Sequence, residues 1–87
     1  MRHKIRGRKA VALRYWAGLP APFLAAKAGG GAVDRLLAIA REAGLPIIED
    51  GPLTEAVFPL EVGEYVPEAC FEVLARIFAF VKSIEEI

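Results

Sequence analysis

Residues 32–58 read AVDRLLAIAREAGLPIIEDGPLTEAVF. Val33, Leu36, Leu37, Ala40 and Ala43 recur at the three-to-four spacing of a helix with one apolar face. Gly44 suits the left-handed residue just past a helix end, and Pro46 blocks any continuation. Pro46-Ile47-Ile48-Glu49 then reads as a short strand, its β-branched pair suited to a buried central position. Asp50 is placed to cap a short helix that starts near Pro52 and ends at Pro59, with Leu53, Val57 and Phe58 on its apolar side. Helix, strand and helix in close succession is the rhythm of an α/β layer domain.

Upstream, residues 10–15 alternate, with Val11, Leu13 and Tyr15 on one face and Ala10, Ala12 and Arg14 on the other. This predicts a strand with two partly buried faces and makes Tyr15 a core residue. Residues 16–22 are Pro- and Gly-rich punctuation, and Phe23–Ala28 reads as a second strand. Downstream, Pro67 opens a final helix. Its wheel gathers Cys70, Phe71, Val73, Leu74, Ile77, Phe78, Phe80, Val81 and Ile84 on one half, and Glu68, Glu72, Arg76 and Lys82 on the other. The expectation is an α/β fold: a small central sheet of three to four strands flanked by helices, closed by a long amphipathic C-terminal helix. Residues 1–9 form a basic arm and residues 10–87 a single domain.

The size agrees, since 87 residues suffice for one small core and not for two. The longest run without a charge, Tyr15–Ala26, holds two prolines and is far shorter than the ~20 apolar residues of a membrane span. Cys70 is the only cysteine, so no internal disulfide forms and a reducing, cytoplasmic setting is expected. The chain has no Asn or Gln and one each of Ser, Thr and His: Ser83, Thr54 and His3. Nucleophilic catalysis needs a hydroxyl or thiol beside a base, and zinc needs three or four ligands. The pool for either is nearly empty. We therefore expect no enzyme, no cofactor and no metal.

Formal net charge is zero but unevenly spread. Residues 1–27 carry seven bases and no acid, while residues 34–87 carry eleven acids against Arg35, Arg41, Arg76 and Lys82. A basic arm on an acidic body is either an electrostatic docking element, a strap folded on its own domain, or a solvated terminus. Nucleic acid is not the expected partner, because no recognition helix or aromatic platform accompanies the arm. Gly29-Gly30-Gly31 precedes a helix, as a phosphate loop would, but no Gly-Lys-Ser/Thr follows and Asp34 would repel the anion. It reads as a joint. Cys70 reads as core packing. Phe71 and Phe80, at opposite margins of the last helix's apolar face, are candidate partner contacts.

The order of segments resembles the cytoplasmic domain of the FlhB/YscU family, the export-switch proteins of flagellar and virulence type III secretion. The likeness runs through Ala10–Tyr15, Ala21-Pro22 to Ala26-Lys27, Ile39–Asp50, Pro52-Leu53 with Ala56–Phe58, Leu60–Gly63 and Val66–Glu68. It covers about residues 10–82, and the ordered set is more specific than any piece. In that family an Asn-Pro-Thr-His turn precedes the first of these strands, and its Asn attacks its own carbonyl and breaks the chain. The corresponding positions here are Ile5, Arg6, Gly7 and Arg8, and none matches. Without Asn that cyclisation is impossible, so the resemblance implies a freestanding, non-cleaving homologue with no membrane anchor. Trp16 stands where the family commonly has a small polar or acidic residue.

The expected function is that of a non-enzymatic protein-binding module at the cytoplasmic face of the export apparatus. It would join or substitute for the switch domain in substrate-specificity control of protein secretion. Its partners would be export-apparatus proteins or their substrates, with no nucleic acid, no membrane insertion and at most peripheral association. The expected state is a monomer or weak homodimer. Candidate contacts are Arg6, Arg8 and Lys9 with the adjoining strand edge, together with Phe71 and Phe80. The alternative is a self-associating structural domain that pairs through the C-terminal helix and has no export role.

Overall fold

A computed structural model of the chain describes residues 8–85. Strand β1 (Lys9–Arg14) and strand β2 (Phe23–Gly29) form an antiparallel hairpin, the one sheet among the described residues. A 3-10 turn over Gly30–Ala32 leads into helix α1 (Val33–Glu42). Helix α2 (Gly51–Val57) follows, and a second 3-10 turn over Glu68–Cys70 opens helix α3 (Phe71–Glu85). The fold is mixed α/β, as expected.

The third strand is not there. Pro46–Glu49 carries no sheet pairing, and Ile47 and Ile48 are 42% and 41% exposed. β-branched residues favour extended backbone, but a strand also needs a neighbour to take its N–H and C=O groups. The neighbouring signals behave as their chemistry dictates. Gly44 sits at φ +74°, while Leu45 N–H reaches Ala40 O at 2.9 Å and closes α1. Asp50 Oδ1 accepts from Leu53 N–H at 3.0 Å and starts α2.

Two adjacent residues show how the layers lie. Arg8 reaches Asp34 on α1 and Lys9 reaches Glu55 on α2. Successive side chains of an extended strand point to opposite faces. Helices α1 and α2 therefore cover opposite faces of the hairpin. The core lies on the α2 side, where Leu24 and Val57 are fully buried among Ala21, Val66, Cys70 and Leu74, with Val11 and Leu13 against them. A β-bulge beside Ala12/Leu13 pairs Ala12 with Ala26 and Leu13 with Leu24. The extra residue changes the parity of β2. Leu24 and Lys27, an odd number apart, thus both reach the α2 side: Leu24 packs on Val57, and Lys27 Nζ donates to Phe58 O and Leu60 O at 2.9 and 2.7 Å.

The outer edge of β2 is closed without a strand. Leu24 N–H donates to Glu64 O at 2.9 Å, Gly63 N–H to Leu24 O at 2.7 Å and Val66 N–H to Pro22 O at 2.9 Å. Gly63 takes φ +97°, which a side chain would resist. Among the described side chains of α3 only Leu74 is fully covered, while Ile77, Phe78 and Val81 are half-buried and Phe80 is 57% exposed.

Candidate partner-binding surface

Of the cleavage-turn positions and arm cations singled out from sequence, Ile5, Arg6 and Gly7 lie outside the described residues. Arg8 and Lys9 are engaged within the chain. Arg8 Nη2 donates to Asp34 Oδ1 at 2.7 Å, and Lys9 Nζ to Glu55 Oε1 at 2.9 Å. The hydrogen bond from Arg8, with its charge, holds the Asp34 carboxyl below its ordinary value and raises Arg8 in return. Lys9 also lies 5.3 Å from the Phe58 ring centroid, with Lys27 at 5.2 Å. Here the start of β1 is strapped to its own helices by two exposed ion pairs, and a partner would have to compete for those cations.

Phe71 and Phe80 part company. Nine residues at about 100° each place them on opposite sides of α3. Phe71 borders a groove of about 330 Å³ between the hairpin loop and α3. The loop contributes Tyr15, Pro20, Ala21 and Pro22, and α3 contributes Phe71, Leu74, Ala75 and Phe78. Phe80 is not among its walls.

Tyr15 is the residue that sequence reasoning misplaced. Strand β1 ends at Arg14, so Tyr15 escapes the alternation that would bury it and is 48% exposed. Its ring stacks on Phe78 at 6.0 Å between centroids and 29° between planes. Trp16 packs edge-on against Phe23 at 5.6 Å, with the Arg14 guanidinium 5.5 Å from its ring. The groove's loop wall was hidden in what read as punctuation. The available signal was two prolines flanking Ala21, the first of them four residues past an aromatic dipeptide.

The groove's chemistry is narrow. The Tyr15 hydroxyl is the one polar side-chain group among its walls, so it offers apolar contact and no place for a charged ligand. Among the described residues no three His, Cys, Asp or Glu side chains cluster to hold a metal ion. Cys70 is buried against α2 and packs in the core.

Residues 8–81 match the model of the FlhB HrpN YscU SpaS family. The chain belongs to that family. Over 80 residues it is 40% identical to the uncharacterised protein YlqH of Bacillus subtilis (strain 168), covering 91% of this chain and 86% of that one. Over 74 residues it is 35% identical to the flagellar biosynthetic protein FlhB of the same organism, covering 83% of this chain and 21% of FlhB. The chain thus spans about a fifth of FlhB. The crystal structure of the PscU C-terminal domain superposes with a TM-score of 0.76 at 27% identity, covering 84% of this chain and 95% of that one. A point mutant of the EscU/SpaS C-terminal domain gives 0.77 at 26% identity, covering 83% and 91%. This homology supports a related role in type III export, and family membership points to contacts with export-apparatus components. Among the described residues no helix is long and apolar enough to cross a membrane.

Proposed function

We propose that this FlhB/YscU-family chain is a non-enzymatic protein-binding module of the type III export apparatus. It acts on the cytoplasmic side, joining or substituting for the switch domain in substrate-specificity control, and it does not cleave itself. The observation that carries the reading is the apolar groove between Tyr15 and Phe71, built by a family domain that lacks Asn. Its occupant in this proposal is an apolar segment of an exported protein, since the lining supplies desolvation and shape but no charge. Cleavage by Asn cyclisation has no residue to perform it.

The test uses a flagellated host whose FlhB lacks its C-terminal domain, supplied with this chain. Restored export with the parent, lost export with Phe71→Glu and retained export with Phe80→Glu is the expected pattern. Equal behaviour of the two variants would remove the groove from the account. Intact mass near the full 9.4 kDa is the expected product of purification, and two fragments would overturn the non-cleaving reading. The exposed Phe80, beside half-buried Ile77 and Val81, favours one rival, self-association through α3. A dimer in light scattering that Phe80→Glu abolishes, with no export phenotype, would select it.

A further inference from the structure

The walls of the groove are held in different ways. Leu74 in the core fixes the α3 wall. The Pro20–Pro22 stem of the loop is firm as well, with Ala21 and Pro22 buried and Pro22 O accepting from Val66 N–H at 2.9 Å. Tyr15 lies one residue past the end of β1, where the ladder no longer fixes it, and its ring reaches Phe78 on α3. One such ring contact is worth little more than the ordering of the side chains that make it, so the backbone beneath needs a second hold. The next residue supplies it. Trp16 packs edge-on against Phe23, and the Arg14 guanidinium lies over its ring. Phe23 precedes the core residue Leu24 in β2 and so faces the other side of the hairpin. It is pinned there by pairing with Arg14 on one side and Tyr65 on the other.

We infer that Trp16 is a positioning residue for the groove: packed on Phe23 behind the hairpin, it holds Tyr15 in place across the groove against Phe78. The inference rests on the groove reading above and adds a residue that is not among the groove's walls. Adjacent rings diverge here, Tyr15 towards α3 and Trp16 towards the opposite face of the sheet, so the short backbone between them is clamped from both sides. Trp16 O also accepts from Leu19 N–H at 3.2 Å. That bond closes the turn through Gly18, at φ +100°, and returns the chain to the Pro20 stem. Both stems of the loop are thereby tied to one residue. A wall fixed in advance needs less ordering when an occupant arrives, and the difference appears as affinity. A small polar or acidic residue at position 16, as the family commonly has, offers no ring to set against Phe23 and leaves Tyr15 to Phe78 alone.

The experiment uses nuclear magnetic resonance of the full chain with ring-labelled tyrosine, and a capped, uncharged hexapeptide of alternating Leu and Ser as the probe for the groove. The Tyr15 ring signal, identified by its loss in Tyr15→Phe, carries the ring-current shift of Phe78. Trp16→Ala should move that signal towards the position of free tyrosine and weaken peptide binding about two- to tenfold, the worth of one aromatic pair. Trp16→Phe should keep both near the parent, since an edge-on ring remains. Phe23→Leu removes the other half of the contact and should reproduce Trp16→Ala. On a Tyr15→Ala background Trp16→Ala should change peptide affinity no further, because Trp16 acts through Tyr15. An unmoved Tyr15 signal in Trp16→Ala, or an equal loss of affinity with and without Tyr15, would overturn the inference. Collapse of the amide spectrum in Trp16→Ala and Phe23→Leu alike would overturn it too, by making Trp16 a determinant of the whole fold. The two readings fail separately. If Phe71→Glu leaves export intact, or the parent binds no peptide, the groove reading falls while the Tyr15 signal still decides whether Trp16 holds that ring. If the signal stays put while Phe71→Glu abolishes export, the groove stands and the role of Trp16 falls.

Discussion

Lys27 closes α2 from the neighbouring strand. Its ammonium donates to Phe58 O and Leu60 O, carbonyls at and just past the helix end, where a cation also meets the negative end of the helix dipole. Lys27→Met keeps the aliphatic stem and removes every donor. It should lower the unfolding free energy by about 1–2 kcal/mol, read as a shift in urea midpoint at unchanged slope. No shift would mean that water serves those carbonyls equally well. The Arg8–Asp34 pair makes a prediction in pH. Asp34 titrates below its ordinary value in the folded chain, so its contribution is complete above about pH 4 and is lost as pH falls through the lowered value. Asp34→Asn should therefore be slightly less stable than the parent at about pH 6, and the gap should close towards about pH 2. The gap will be small because the pair is exposed and screened. A gap that persists into acid would show that the side chain acts otherwise than through its charge.

Elements differ in how far their own residues explain them. Helix α2 spans seven residues, too few to persist alone in water, and is held at its N-terminus by Asp50 and at its C-terminus by Lys27. Asp50→Ala should cost about 1 kcal/mol in thermal or urea unfolding, and Asp50→Ser should retain most of the stability, because serine also accepts from the helix N–H groups. Equal losses from both would place the effect outside the cap. Helix α1 and its Gly44 terminus were legible, since periodicity and a left-handed glycine act within a few residues. The strand at Pro46–Glu49 was misread for the complementary reason: Ile47-Ile48 reports a local preference, while pairing depends on a partner far along the chain. Helix α3 shows a third case. Its apolar stripe is plain in the sequence, yet Leu74 is fully covered and Phe80 is not, a difference set by what packs beside each turn.

The molecule as a whole rests on a small core whose largest fully buried side chains are Leu24 and Val57. Leu24→Ala should cost about 2–5 kcal/mol, a large share of the roughly 4–13 kcal/mol expected for 87 residues at about 0.05–0.15 kcal/mol each. Calorimetry should show a broad or missing transition for Leu24→Ala and a change within about 0.5 kcal/mol for Phe80→Ala. A large loss from Phe80→Ala would reveal a covering contact, such as a partner copy on α3. At this scale the candidate surface was half legible. Phe71 borders the groove from the apolar-face margin where helical spacing put it, and Tyr15 was misplaced because the alternation was carried one residue past Arg14, where β1 stops. By itself the sequence determined the Gly44 terminus of α1 and the Asp50 cap of α2, the segregation of bases from acids and the absence of any Asn to cyclise, each a property of composition or of neighbours a few residues apart. Only the tertiary structure decided that Pro46–Glu49 stays unpaired, that Arg8 and Lys9 are matched by Asp34 and Glu55, and that a loop and a helix meet to form a groove. Those outcomes are contacts between distant residues, and the energy of such a contact exists only once folding has brought both sides together.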